Sequence, residues 1–149
     1  MTGNAIFLFN LLSTWYMVGL IWMVQIVHYN LFDRVGSNVF AHYEAEHNRL
    51  ITPIVGIPML IEIATAAILL WQTPSFMPKS AVWVGLGLIV VIWLSTLLLQ
   101  IPAHQRLLEG FDPATYKRLV SSNWIRTIAW SARGLILGYY LSLVLQRIK

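Results

Sequence analysis

Four long apolar runs, separated by short polar segments, dominate the sequence. They cover roughly residues 5–29, 50–71, 80–101 and 124–145, and few charged residues interrupt them. A helix crosses the hydrocarbon core of a bilayer in about 20 apolar residues, so each run is long enough to span a membrane. The pattern predicts an all-α fold, an integral membrane four-helix bundle in which residues 1–149 form a single domain.

The polar segments between the runs carry helix signals of their own. Residues 40–50, FAHYEAEHNRL, are the most polar stretch, and we expect Ser37 to cap a short helix that continues through His47. Asp112 and Pro113 suit the N-cap and first position of another helix, which merges into the fourth run. Loops 1 and 3 are therefore predicted to contain short interfacial helices, whereas loop 2, residues 72–79, is a turn-rich link.

The composition favours lipid as the surroundings of the chain. Hydrophobic residues make up 58% of the sequence and charged residues 11%, whereas a soluble domain carries about 25% charged residues. The absence of cysteine excludes disulfides and thiolate chemistry. The net charge of +4 does not indicate nucleic-acid binding, because the basic residues flank the apolar runs and form no basic stripe.

Basic residues are divided unevenly between the two ends of the predicted bundle. Loops 1 and 3, with the adjoining span ends, carry six, and the opposite side carries three. Because positive residues are retained in the cytoplasm, we expect loops 1 and 3 there and both termini outside, in a bacterial cytoplasmic membrane. The six are Arg34, Arg49, Arg106, Lys117, Arg118 and Arg126, and the three are Lys79, Arg147 and Lys149.

The four histidines are predicted to gather at the cytoplasmic end. His28 and His104 end the first and third spans, while His42 and His47 lie in the polar stretch. Imidazole and carboxylate suit zinc, iron or copper, which makes His42, Glu46 and His47 candidate metal ligands. His28 and His104, on different spans, could instead hold a haem axially. The ordinary alternative for each histidine is a hydrogen-bonded side chain at the headgroup level.

Two ionisable residues lie deeper in the apolar runs. Glu62 and Arg133 are placed about 18 and 14 Å below the same interface, at ~1.5 Å per helical residue. Either charge alone in hydrocarbon would be costly, so we expect them to form an intramembrane ion pair. Such a pair either specifies the bundle or serves as a proton relay or a site for a polar ligand head.

The fourth span opens with Asn123-Trp-Ile-Arg-Thr127, in which Asn123 and Thr127 share a helix face. With four short spans and histidines at their cytoplasmic ends, this motif resembles the small bacterial membrane proteins grouped with anthrone oxygenases, here with Asn-Trp in place of that family's Trp-Asn. The resemblance implies a four-helix membrane bundle and, for the few members with an assigned activity, oxygenation of polycyclic phenols. It carries over to Asn123, Arg126 and His104.

Two functions are predicted from these features. The first is a redox or oxygenase-type membrane enzyme acting on a hydrophobic phenol or quinone, in which histidine accepts a proton or binds a metal or haem, and arginine and asparagine hold oxyanion charge. The second is a non-catalytic subunit of a larger respiratory or photosynthetic complex. A transporter is less favoured, because four spans without repeats would need a homo-oligomer. The predicted catalytic residues are His28, His47, His104, Asn123 and Arg126.

Overall fold

A computed structural model describes residues 3–146 of the chain. All regular structure in this range is helical, and no strand occurs in it. Four helical segments are long and apolar enough to cross a membrane, and they are numbered here as spans 1 to 4: Gly3–Arg34, Phe40–Leu69, Lys79–Leu107 and Pro113–Gln146. The predicted all-α, four-helix architecture of an integral membrane protein is confirmed.

Spans 1 and 3 each contain a wider, π-helical turn. Span 1 consists of α1 (Gly3–Met23), the π turn Val24–His28 and a 3₁₀ turn, Tyr29–Arg34. Span 3 consists of α3 (Lys79–Ser95), the π turn Thr96–Gln100 and α4 (Ile101–Leu107). A π turn shifts the following side chains around the helix axis, and such turns are frequent at functional sites. Side chains that follow the two turns contact each other, so both turns lie at the same end of the bundle.

Span 2 is a single helix, α2, from Phe40 to Leu69. It begins three residues after Ser37, and no side chain caps its first turn, so the predicted cap at Ser37 is wrong. The polar stretch and the second apolar run form one continuous helix. Pro53 and Pro58 lie inside this helix and do not end it. Each proline removes one helical hydrogen bond, but a membrane helix packed against neighbours tolerates that loss.

Span 4 is the helix α5, which begins at Pro113 as predicted. The Asp112 carboxylate accepts a hydrogen bond from the Thr115 backbone N–H at 2.9 Å and another from the Thr115 hydroxyl. These two hydrogen bonds hold the pKa of the Asp112 carboxyl below its usual value, and the one from the hydroxyl has the larger effect. The predicted N-cap is therefore confirmed, and it fixes where the chain turns into span 4.

A buried polar layer joins all four spans. Arg133 on span 4 donates to Glu62 on span 2 at 3.3 Å, to Asn10 on span 1 at 2.7 Å and to the Gly85 carbonyl on span 3 at 2.8 Å. Glu62 also accepts from Thr14 at 2.6 Å. The structure thus brings together the two deep ionisable residues expected to pair, and both are 2% exposed. This layer fixes the positions of the four spans relative to one another.

Candidate functional site

A cleft of about 460 Å³ lies between span 2 and span 3. Most of its wall is apolar and comes from three spans, with Met17, Ile21 and Val24 on span 1, Ile51, Val55 and Met59 on span 2, and Trp93, Leu97 and Ile101 on span 3. Its polar lining residues come from all four spans and include Tyr29, His47, Thr96, Gln100, His104 and Arg126. The cleft is therefore a mainly apolar cavity with a polar end.

A chain of hydrogen bonds borders the polar end and connects all four spans. Arg126 Nη2 lies 3.5 Å from the Tyr29 hydroxyl, which lies 3.1 Å from His104 Nε2. His104 Nδ1 in turn lies 2.6 Å from Glu44 Oε1. Asn48 Nδ2 donates to the same carboxylate oxygen at 3.2 Å. We call Arg126, Tyr29, His104 and Glu44 the relay.

When Glu44 is ionised and His104 is neutral, the relay has a single direction of donation. Arginine can only donate and a carboxylate can only accept, so the two ends fix the groups between them. Tyr29 accepts from Arg126 and donates to His104 Nε2, and neutral His104 donates from Nδ1 to Glu44. A carboxylate that accepts the Nδ1 proton orients the imidazole and leaves Nε2 as an acceptor. The relay can therefore move a proton from the cleft toward Glu44.

His28 and His47 form a second arrangement at the same end. His28 Nε2 lies 2.9 Å from His47 Nδ1, and the ring of His47 packs 5.2 Å from that of His104. Nε2 of His47 has no hydrogen-bond partner in the described range, residues 3–146. Because His47 lines the cleft, this nitrogen is available to a bound ligand.

Arg126 is held in place by neutral groups. Its guanidinium donates through Nε to Asn123 Oδ1 at 2.8 Å, and Nη1 lies 3.4 Å from Thr96 Oγ1. Asn123 donates to Gln25 Oε1 at 2.9 Å, which ties the site to the π turn of span 1. Arg126 is 6% exposed. Arg126 takes part in none of the ion pairs that residues 3–146 form.

The structure does not assemble the predicted metal site of His42, Glu46 and His47. His42 is exposed and Glu46 pairs with Arg49 on the surface, whereas His47 is buried. The physical reason is the helical turn of about 100° per residue, which separates positions 42 and 47 around α2. No group of three or more His, Asp or Glu side chains able to hold a metal ion occurs within the described part of the chain.

The side chains at this end also do not fit a haem held by His28 and His104. Both ring nitrogens of His104 already have hydrogen-bond partners, Tyr29 and Glu44. The ring of His47 packs against both other histidines, at 4.7 Å from His28 and 5.2 Å from His104. The three imidazoles are thus arranged for hydrogen bonding and not for axial ligation.

Five predicted catalytic residues lie together at the polar end, namely His28, His47, His104, Asn123 and Arg126. Sequence reasoning missed Glu44 and Tyr29. The available signal was spacing, because Glu44 precedes His47 by three residues and therefore shares its helix face. Tyr29 gave no such signal, since its direction depends on the π turn before it.

The fold and the cleft define a small polytopic helical membrane protein with a ligand-sized cavity that is polar at one end. No family model, curated protein or solved structure matches the chain. The function is therefore argued from the geometry of the cleft.

Proposed function

We propose that this chain is a small oxidoreductase of the oxygenase type, in a bacterial cytoplasmic membrane, that acts on a hydrophobic phenol or quinone. The observation that carries the proposal is the apolar, ligand-sized cleft with the relay at its polar end. The excess of basic residues in loops 1 and 3 and the adjoining span ends supports a cytoplasmic location for that end.

The size and polarity of the cleft suit a flat hydrophobic ligand with one polar edge. Small-molecule sites commonly enclose ~300–1,000 Å³ and combine apolar walls with a few polar groups. A cavity of about 460 Å³ accommodates a fused-ring phenol or a quinone head.

The relay supplies a proton acceptor for a phenolic ligand. In the proposed step the ligand O–H gives its proton to the Tyr29 oxygen, Tyr29 passes its own proton to His104 Nε2, and His104 passes its Nδ1 proton to Glu44. The ligand becomes a phenolate and Glu44 becomes a neutral acid, so no proton is lost or created. A phenolate gives up electrons more readily than a phenol, which prepares it for oxidation by dioxygen, the co-reactant of an oxygenase.

Arg126 would hold the phenolate. Its hydrogen-bond partners in residues 3–146 are uncharged, in contrast to Arg133, two turns further along the same helix, which faces Glu62. A buried cation without a counter-ion is costly, and attraction between charges is strong in a poorly solvated site. A ligand anion beside Arg126 would supply the missing negative charge.

A spectroscopic titration tests the proposal. 1-Naphthol is added to the purified protein in nanodiscs, and the ionised fraction of the bound naphthol is read from the phenolate absorption band. We expect the bound naphthol to ionise about one pH unit or more below its value in empty nanodiscs, because a nearby cation favours the charged form. Arg126→Gln removes the cation and Tyr29→Phe removes the first proton acceptor of the relay, so both variants should lose this difference. Arg118→Gln, at an exposed arginine of the same helix, is the matched control.

Two outcomes would count against an enzyme of this kind. Equal ionisation of naphthol in the wild type, Arg126→Gln and Tyr29→Phe would contradict the role of the relay, and Tyr29→Phe decides the matter if Arg126→Gln does not fold. Failure to bind naphthol, together with co-purification of a larger assembly, would favour an accessory subunit of a respiratory or photosynthetic complex.

A further inference from the structure

We propose that the ligand reaches the cleft sideways from the bilayer, through a portal between α2 and span 3 whose α2 edge is Gly56. The inference rests on the proposed function for the chemical class of the ligand. It adds the route that the ligand takes and a residue that sets the width of that route.

The open side of the cleft faces outward from the bundle. Thr52 on α2 and Leu97 and Ile101 on span 3 line the cleft and are also exposed, the last two by 50% and 41%. Their neighbours on the outer surface are large and apolar, including Ile54 and Leu98. An apolar outer surface on a membrane-spanning helix faces lipid, so a ligand dissolved in the bilayer meets the cleft directly.

The portal lies deeper than the polar end of the cleft. Gly56 follows His47 by nine residues on α2, which is about 13 Å along the helix axis. Leu97 precedes His104 by seven residues on span 3, about 10 Å in the same direction. The portal is therefore level with the lipid chains, while the relay lies nearer the membrane surface. A phenol entering with its ring in the lipid would place its oxygen toward the relay.

Gly56 keeps the α2 edge of the portal open. It lines the cleft, and a Cβ atom at this position would meet no other atom within 4 Å. Pro53 and Pro58 lie on either side, and their missing N–H groups deprive the carbonyls of Arg49 and Ile54 of their usual helical donors. A helix with fewer internal hydrogen bonds bends more easily, which suits an edge that must yield to a passing ring.

Gly56→Leu would narrow the portal without touching the relay. The probe is a benzoquinone with a decyl tail, added to the full-length protein in nanodiscs, and its binding is followed by stopped-flow quenching of tryptophan fluorescence. Trp93 lines the cleft, and a Trp93→Phe variant identifies its share of the signal. We expect association to slow about tenfold and release to slow as well, because a narrowed route hinders passage in both directions.

Gly87→Leu is the matched control. Gly87 is exposed on span 3, does not line the cleft, and also has no atom within 4 Å of a Cβ. We expect its rates to stay within about twofold of the wild type, since a surface leucine is a good helix former. Equal melting temperatures for both variants would show that the fold is intact.

Three results would overturn the portal. One is association by Gly56→Leu as fast as by Gly87→Leu, and another is faster release, which would make Gly56 a contact inside the cleft. The third is binding of a water-soluble naphthol sulfonate, unaffected by Gly56→Leu, without binding of the decyl quinone. Each leaves the proposed function standing if bound naphthol still ionises at a lower pH than in empty nanodiscs in the wild type and not in Tyr29→Phe. Loss of that ionisation signal would defeat the proposed function separately.

Discussion

Glu44 and Glu46 show how two positions on one helix acquire opposite surroundings. They lie about 200° apart around α2, at ~100° per residue. Glu44 is fully buried and accepts a hydrogen bond from His104, and its Oε2 has no hydrogen-bond partner in the described range. Glu46 is on the outer face with Arg49. Only the buried glutamate can orient a residue of the cleft.

Glu44→Gln is therefore expected to weaken the fold and the proton relay together. It replaces a charge-assisted hydrogen bond to His104 with a neutral one, and such bonds contribute about 1.5–3 kcal/mol to the free energy of unfolding. The downward shift in the pH at which bound naphthol ionises should disappear as well. Unfolding in mixed micelles and the naphthol titration measure the two effects.

Glu46→Gln is the matched control for that substitution. Because Glu46 and Arg49 are a surface pair, this variant should behave like the wild type in both measurements. If the two glutamine variants were indistinguishable, Glu44 would have no special role in orienting His104.

At the scale of elements, Arg133 is the side chain that ties the spans together. Its guanidinium reaches a group on each of the other three spans. Glu62 also accepts hydrogen bonds from the Thr14 hydroxyl at 2.6 Å and from the Trp130 indole N–H at 2.9 Å. Since every group in this layer is paired, its burial is compatible with a stable bundle. The cavity that Asn10 and Arg133 line holds only about 10 Å³, which favours a structural role over a ligand site.

Breaking this pair from one side should cost more than removing it. Glu62→Gln or Arg133→Met leaves a buried partner uncompensated, which typically costs about 3–5 kcal/mol in free energy of unfolding. The double variant Glu62→Leu/Arg133→Met should cost less than the sum of the single changes. A double-mutant cycle of unfolding in mixed micelles measures the coupling. Additive costs would mean that the two charges do not stabilise each other.

At the scale of the whole molecule, the direction of insertion determines which compartment the relay faces. Six basic residues belong to loops 1 and 3 with the adjoining span ends, against three on the other side, and this difference favours a cytoplasmic location for loops 1 and 3. The polar end of the cleft adjoins those loops, because His47 and His104 lie near the ends of spans 2 and 3 that lead into them. The relay would then exchange protons with the cytoplasm.

A matched pair of serine substitutions tests that orientation. Ser37 and Ser75 are both exposed, in loop 1 and loop 2, and the sequence contains no cysteine. Ser37→Cys should react with a membrane-impermeant maleimide in inside-out vesicles, and Ser75→Cys should react in intact spheroplasts. The opposite labelling pattern would place the relay on the outer side and would contradict the inference from basic residues.

Features with local causes were predictable from the sequence. The four spans follow from lengths of apolar sequence that only lipid can surround. The start of span 4 follows from Asp112 and Pro113, whose side chains act within one turn. The expected ion pair of Glu62 and Arg133 follows from the free-energy cost of an unpaired charge in lipid, because the apolar runs contain few other partners for either charge.

Features that depend on how helices face one another were not predictable in this way. The proposed metal ligands on α2 were chosen by residue type, but packing turned His47 inward and left His42 and Glu46 outside. The choice of Glu44 over Glu46 depends on the rotation of α2 about its axis. That rotation is set by contacts with spans far away in the sequence.

The sequence by itself determined that this chain is a four-span helical membrane protein with its histidines toward one end, because hydropathy and helix caps act through neighbouring residues. Only the tertiary structure decided that Glu44, His104, Tyr29 and Arg126 form one directional chain beside an apolar cleft. These side chains come from all four spans, and their directions depend on the two π turns and on the rotation of α2. Such alignment depends on packing between distant segments, which no local pattern records.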